Sequence, residues 1–303
     1  YYRAVVTSGS CASVNSNVVT ISITTNQPFA NALALNGTGK IQFGNQATAA
    51  VASNFTIEAW VNLPSSSSSI QTILSNSPAP NTMPGFKFGI NDWNTSNGNI
   101  VLEGYNGASG GAVVSTTPIA KNIWQHVAVV VNGSSVTFYI NGANAGSASR
   151  SFVSTSSYPL TIGSFSDSQY PFNGTMDEVR LWNVSKSQQD IQASMYGPLA
   201  GNETGLVAYF NFNQGTPGGT NTGITNLLDN GPNAFTGSLS EITRTGTAEN
   251  FVLNSNVMAI TGSVACVGSA VQLNHPQAGG TWSSASTSVA TINSSGLATC
   301  LTA

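Results

Sequence analysis

The sequence predicts an all-β sandwich, on three observations. The stretch Trp124–Gly146, WQHVAVVVNGSSVTFYINGANAG, reads as two strands, Trp124–Val131 and Val136–Ile140, joined at Asn132-Gly133 and closed by Asn141-Gly142. An Asn-Gly pair between β-rich runs is a strong hairpin signal, because a type I′ turn needs positive φ at both central residues. The first strand alternates Trp124, His126, Ala128 and Val130 on one face with Gln125, Val127, Val129 and Val131 on the other. Both faces are mostly apolar, so burial is expected on both sides, as in a sheet packed against a second sheet. Finally, short β-rich runs recur along the chain at regular spacing, punctuated by Gly, Asn and Pro, with a single helical candidate.

Taken in order, Tyr2–Thr7 and Asn17–Thr24 are β-rich runs around a Ser/Gly/Asn loop that carries Cys11. Alone, this hairpin is too small to bury a core. Gln27-Pro28 breaks the pattern, and Ala32–Phe43 opens a new set of strands. Phe55–Leu63, FTIEAWVNL, precedes a Pro-Ser loop at Pro64–Ser69, which reads as flexible surface. Ile70–Asn76 and Gly85–Asn91 follow, then an Asn/Gly loop, Asn91–Asn99, and Ile100–Tyr105. Beyond the hairpin come Tyr158–Ile162, Gly174–Asn183 and Gly205–Phe212, with the helical candidate Ser187–Tyr196 after GTMDEVRLWN. From Asn256 onward, four short β runs are separated by Gly/Ser/Asn turns.

The chain's 303 residues suggest two or three units. Only 6% of residues are charged, against about 25% in a typical domain. Eight Lys/Arg against eleven Asp/Glu leave a net charge of −3, which gives nucleic acid no footprint. No apolar run approaches the roughly 18 residues of a membrane span. The chain opens on Tyr-Tyr-Arg, in what reads as the middle of a strand, so a fragment of something longer is expected. An odd cysteine count, Cys11, Cys266 and Cys300, suggests that at least one partner lies outside it. With His126 and His275 the only histidines, zinc-hydrolase and Ser-His-Asp chemistry have almost nothing to use.

Two resemblances organise this pattern. FTIEAWVN, WQHVAVVVNGSSVTFYINGANAG, LTIGSF, FNGTMDEVRLWNVSKSQQDI, GLVAYFNFNQG and DNGPNAFTGSL occur in the order found in laminin-G-like domains of the concanavalin A-like lectin/glucanase superfamily. The resemblance covers about Gln27–Val252 and implies a jelly-roll of two curved antiparallel sheets. The first hairpin resembles the end of an immunoglobulin-like repeat of the giant surface adhesins of gliding and related bacteria. The segment TWSSASTSVATINSSGLAT resembles the start of a bacterial immunoglobulin-like domain. The expected organisation is therefore residues 1–26 as the tail of one repeat, 27–255 as a lectin-like sandwich and 256–303 as the head of another repeat. On this reading Cys11 pairs upstream of Tyr1, the alternative being a free or reactive thiol. Cys266 and Cys300 bridge each other, or one pairs beyond Ala303.

The glucanase branch of the superfamily uses a Glu-x-Asp-x-x-Glu strand, and nothing here matches it. Adjacent Asp177 and Glu178 point to opposite faces of a regular strand and cannot act as a pair. The expectation is therefore no enzyme. The resemblance implies a structural calcium ion at Asp177, with Asp229, Asn230 and Asn233 of DNGPN as co-ligands and Asp92 as a weaker one. Arg180, three residues on, is expected on the opposite face from Asp177, which leaves a cation as the simple compensation. The plain alternative is that Asp177 caps a turn or pairs with Arg180. Trp60, Trp124 and Trp182 read as core. Trp93, in the polar loop GINDWNTSNGN, reads either as a sugar-stacking residue flanked by Asp92 and Asn94 or as packing beneath the loop; Tyr105 and Tyr170 are weaker companions.

The function expected from these readings is that of a secreted, multi-repeat cell-surface adhesin whose lectin-like domain binds surface glycans or proteins. A non-catalytic carbohydrate-targeting module of a polysaccharide-degrading enzyme is the alternative, and a structural spacer a third. The expected location is extracellular, with further repeats of the same chain at both ends.

Overall fold

In the computed structural model the described residues are 31–44, 51–67, 69–154, 156–254, 268–272, 284 and 287–301. The chain divides into two compact units, Pro28–Asn254 and Tyr1–Gln27 with Ser255–Ala303. Among the described residues of the second unit, three short strands form one sheet. They are Ala270–Gln272, Ala290–Ile292 and Leu297–Cys300, with Leu297–Cys300 in the middle. Cys300 is a half-buried free thiol, while Cys11 and Cys266 lie outside the described residues.

The first unit is a jelly-roll of two antiparallel eight-stranded sheets. Sheet A runs β10 (Ala143–Ser149), β9 (Ser135–Ile140), β8 (Gln125–Asn132), β3 (Asn54–Asn62), β12 (Asn173–Trp182), β1 (Asn31–Asn36), β16 (Asn250–Leu253), and β13 (Leu206–Phe210) also pairs with β12. Sheet B runs β14 (Asn226–Leu228), β15 (Thr236–Ser240), β2 (Lys40–Phe43), β11 (Thr161–Ile162), β4 (Gln71–Ser75), β5 (Phe86–Ile90), β6 (Asn99–Tyr105), β7 (Gly110–Pro118).

Register sorts side chains into rows across each sheet. Leu239, Ile41, Ile162, Leu74, Phe88 and Leu102 lie opposite one another on successive strands of sheet B and form one wall of the core. Leu181, Ile57, Val129 and Phe138 form a matching row of sheet A. The alternating valines of β8 divide as their pattern predicts, with Val127, Val129 and Val131 in the main core. Ala128 and Val130, on its other face, pack with Tyr139 against Ile191 of the helix α1, Gln188–Ser194. The second cover of β8 is thus a helix, not a sheet. Ser187 caps α1 by a reciprocal box with Asp190, which satisfies two of the backbone donors that every helix N-terminus leaves open.

The hairpin turns differ from the expectation by one residue. Asn132 pairs with Ser135, so the turn is Gly133-Ser134, with only Gly133 at positive φ, 60°. The type I′ pattern belongs to the next turn, where Asn141 (φ 50°) and Gly142 (φ 73°) join β9 to β10. Among the described residues, no helix is long and apolar enough to cross a membrane.

Candidate functional site

The outer face of sheet B is polar. Ser238, Gln42, Thr161, Ser75, Lys87, Glu103 and Ala112 are neighbours in register across it. Residues between β11 and β12 fold back over this face. Gln42 Nε2 donates to the Ser166 carbonyl at 2.7 Å, and Lys40 Nζ to Ser168 Oγ at 2.6 Å. Phe165 is thereby buried, with its ring centroid 5.7 Å from Lys87 Nζ. Lys87 has no exposed surface and pairs at 2.7 Å with Glu103, its cross-strand neighbour, whose side chain keeps 17% exposure.

An aromatic file leads from this buried pair to solvent. Phe165 meets Tyr170 edge-on at 4.9 Å, and Tyr170 meets Trp93 edge-on at 6.2 Å. Trp93 is 64% exposed. It sits in the β5–β6 loop, which Asn91 holds in shape. Asn91 adopts a left-handed φ of 63°, accepts the Gly98 N–H at 2.8 Å and donates to the Ser69 carbonyl at 2.7 Å. Of the two readings of Trp93, packing beneath the loop is excluded by this exposure. Asp92 is half-buried and Asn94 exposed beside it. Tyr105 does not join them. It ends β6 at the far side of the strand from the loop, six residues from Asn99, or about 20 Å at strand rise, and its hydroxyl donates to the Gly107 carbonyl. Tyr170 is the aromatic the structure places at Trp93.

The residues expected at calcium are arranged otherwise. In β12, Asp177 lies opposite Trp60 and Arg180 opposite Glu58, so two residues, Glu178 and Val179, face the single Ala59. This is a β-bulge, with Glu178 at φ 52°. The extra residue reverses the alternation, and Arg180 comes to the same face as Asp177, not the opposite one. Asp177 is fully buried. Its Oδ1 accepts the Glu178 N–H at 2.7 Å and its Oδ2 the Asn254 amide at 2.8 Å. Burial and the neighbouring Glu178 carboxylate push its carboxyl well above the usual range. Asp229 accepts three backbone N–H groups, from Tyr209 (2.7 Å), Gly231 (2.7 Å) and Phe235 (3.2 Å). Asn233 donates to the Val207 carbonyl at 2.8 Å, and Asn230 is exposed. Calcium needs six to eight oxygens turned inward. Here the carboxylates receive N–H donors and share no partner, so these residues do not fit the ion. Among the described residues no group of three or more His, Cys, Asp or Glu side chains could hold a metal.

Sequence reasoning missed the charge cluster on the outer face of sheet A. Tyr139, Ala128, Glu58, Arg180 and Tyr209 are neighbours in register across five strands, all beneath α1 and the turn that follows it. Arg180 Nη2 pairs with Glu178 Oε2 at 2.5 Å and donates to the Gly197 carbonyl, while Nη1 donates to the Ser194 carbonyl at the end of α1. Tyr209 donates to Glu178, and Trp182 Nε1 to Glu58, each at 2.8 Å. His126 Nε2 lies 3.2 Å from Glu58 Oε2, without hydrogen-bond alignment. Burial alone would raise Glu58, but His126 and the Arg180 charge outweigh it and hold the carboxyl at about 2. Burial lowers His126 from its ordinary value, leaving a neutral ring. The cluster is closed to solvent and fastens the helix to the sheet. The available signal was a charged residue inside an apolar strand, as in Ile57-Glu58-Ala59-Trp60.

The fold is that of a lectin-like jelly-roll domain. Residues 35–192, over half of the chain, match the laminin-G-type family described as the Concanavalin A-like lectin/glucanases superfamily, and the chain belongs to it. No curated protein matches the sequence. Among solved structures, the chain is similar to a candidate carbohydrate binding protein of Bacteroides ovatus ATCC 8483, with TM-score 0.52 and 19% identity over 70% of this chain. It spans 58% of that protein's length, less than two thirds. It is also similar to the heptameric SAP-like pentraxin of Limulus polyphemus (TM-score 0.45, 17% identity, 56% of this chain and 85% of that one). A third similar structure is the CBM40 of the Ruminococcus gnavus IT-sialidase (TM-score 0.45, 18% identity, 55% and 97%).

Proposed function

We propose that the sandwich is a non-catalytic glycan-binding domain of a secreted, multi-repeat cell-surface adhesin. The observation that carries the binding role is Trp93, 64% exposed on a loop fixed by Asn91 and braced by Tyr170. A bare indole in a chain with so little surface charge offers a flat apolar platform, with Asp92 and Asn94 beside it to meet hydroxyls. The likeness of the fold to that of the Bacteroides ovatus protein supports the same reading. The adhesin setting rests on the resemblance of both ends of the chain to immunoglobulin-like repeats. Glutamates offer no hydrolytic pair on this face, where Glu103 is bound to Lys87.

The test is a glycan array followed by calorimetry on the 303-residue chain and its Trp93→Ala variant. Loss of an exposed aromatic anchor is expected to weaken binding about tenfold or more at an unchanged thermal midpoint. Equal binding by both proteins, or no binding by the unaltered chain, overturns the reading.

A further inference from the structure

An open cleft of about 430 Å³ lies at the end of sheet A, and Trp93 is not among the residues that line it. Its floor is Ala34, Asn36, Asn62, Asn173 and Thr175, which register places opposite one another on β1, β12 and β3. Pro64 and Asn122 make one wall, Thr247 and Ala248 the other. None of the lining residues is charged.

Both walls are tied down. Asn122 N donates to the Leu63 carbonyl at 2.7 Å and its Oδ1 accepts the Ser65 N–H at 3.0 Å. On the other side, Glu249 accepts the Thr38 hydroxyl at 2.5 Å, and its carbonyl accepts the Arg244 N–H. Between them, Gly174 lets the strands close up, since a Cβ there would stand 2.6 Å from the Asn62 carbonyl oxygen. The cleft is therefore preformed, and its size falls in the range of about 300–1,000 Å³ usual for small-ligand sites.

Its amides are unspent. Among the described residues, the side chains of Asn62 and Asn173 have no hydrogen-bond partner. The Asn36 and Asn122 side chains use only their oxygens, toward Thr38 and Ser65. Asn91, Asn221 and Asn250, by contrast, spend their side chains on neighbouring backbone and amide groups. Four amides converging on one cavity present donors and acceptors side by side, which suits vicinal hydroxyls, each both donor and acceptor. Ala34, Pro64 and Ala248 supply apolar surface for the C–H groups of a ring. An acidic ligand would find no cation here, and an ammonium no carboxylate.

We infer that this cleft is a second binding site, separate from Trp93, for a neutral polyhydroxylated ligand such as an uncharged sugar residue of a glycan. Two sites with separate linings on one sandwich would let a single domain make two glycan contacts. The inference does not rest on the Trp93 reading, because each site has its own variants.

The experiment screens the 303-residue chain on an array carrying both neutral and sialylated glycans, beside Asn62→Ala/Asn173→Ala and Trp93→Ala. A further variant, Ala248→Trp, fills the exposed rim without touching any amide. Thermal midpoints of all variants check folding, which should hold because the two amides have no internal partner. The expected result is at least one neutral glycan whose binding weakens about two- to tenfold per amide removed. Ala248→Trp should weaken it too, and Trp93→Ala should leave it intact. If no neutral glycan depends on Asn62, Asn173 and the Ala248 rim, or if the dependent ligands are the sialylated ones, the cleft is not such a site.

Discussion

Arg180→Ala tests how far the buried charge cluster holds helix α1 to sheet A. Arg180 is 1% exposed and meets Glu178 at 2.5 Å, Glu58 at 3.7 Å, and the Ser194 and Gly197 carbonyls at 3.0 and 2.8 Å. Its removal leaves two buried carboxyls without their cation, and the carbonyls of Ser194 at the helix end and Gly197 in the following turn without the donors it supplied. Removing one partner of a buried ion pair costs about 3–5 kcal/mol. At about 2–4 °C per kcal/mol for a domain of this size, the thermal midpoint should fall by roughly 6–20 °C. Arg180→Lys keeps the charge but cannot reach both carbonyls and Glu178 at once, so it should fall between. Replacing the group together, Glu58→Gln, Glu178→Gln and Arg180→Met, should restore most of the loss, because a buried ion network is worth little more than an apolar core of similar volume. Thermal and urea unfolding followed by circular dichroism read all four proteins. A loss within about 1 kcal/mol for Arg180→Ala would refute the reasoning, and so would a triple variant less stable than Arg180→Ala.

Other outcomes follow from the same face and its neighbours. Folded His126 titrates below the unfolded value of 6.5. The unfolded chain therefore takes up the proton first, and the contribution is full above pH 6.5 and is lost as pH falls below it, by at most about 1.4 kcal/mol per pH unit. His126→Gln should remove that part of the slope in urea titrations at stepped pH, and identical slopes would count against a buried neutral imidazole. Glu58, at about 2 in the fold against 4.5 unfolded, should add a second loss as pH drops through 4.5, absent in Glu58→Gln. Calcium and chelator should leave the thermal midpoint unchanged. Asp177→Asn should cost less than Asp177→Ala, because it still accepts the Glu178 N–H and can meet Asn254 once that amide turns its oxygen toward the new NH2, while Asp177→Ala removes both acceptors at about 1–3 kcal/mol; a calcium-dependent rise lost in Asp177→Asn would reinstate the ion.

Most of the sandwich was legible because its strands advertise themselves. Val127 to Val131 alternate without interruption, and their faces came out right although the turn beyond them was displaced by a residue, since the pattern and not the turn assigns the faces. Ala32–Phe43, read as one opening stretch, divides at Gly37-Thr38-Gly39 into β1 and β2, which go to different sheets. The edge strand β7, GGAVVSTTP, is poor in large apolar residues because its outer side is solvated, and it sent no such signal. Trp93 was legible from the polarity of its own loop. Tyr170 was recognisable as a companion, but its preference over Tyr105 depends on a fold-back of residues between β11 and β12 that no local pattern encodes.

The largest error has one physical source. Face assignment by counting residues assumes an unbroken strand, and β12 is broken at Glu178. Glutamate has no special tolerance for positive φ, so nothing in GTMDEVRLWN announces the bulge. The bulge is nevertheless what makes the strand work. Met176 on one side of it and Val179 and Leu181 on the other all face the core, which regular alternation over an odd-numbered and an even-numbered position forbids. The inserted residue reconciles them, and in doing so turns Asp177 and Arg180 to the same outer face. The apolar pattern of the strand, Met176 then Val179 and Leu181, was therefore the signal for the bulge. Read for where the core residues fall, and not for where the acids fall, it places Arg180 beneath the helix and removes the need for a cation.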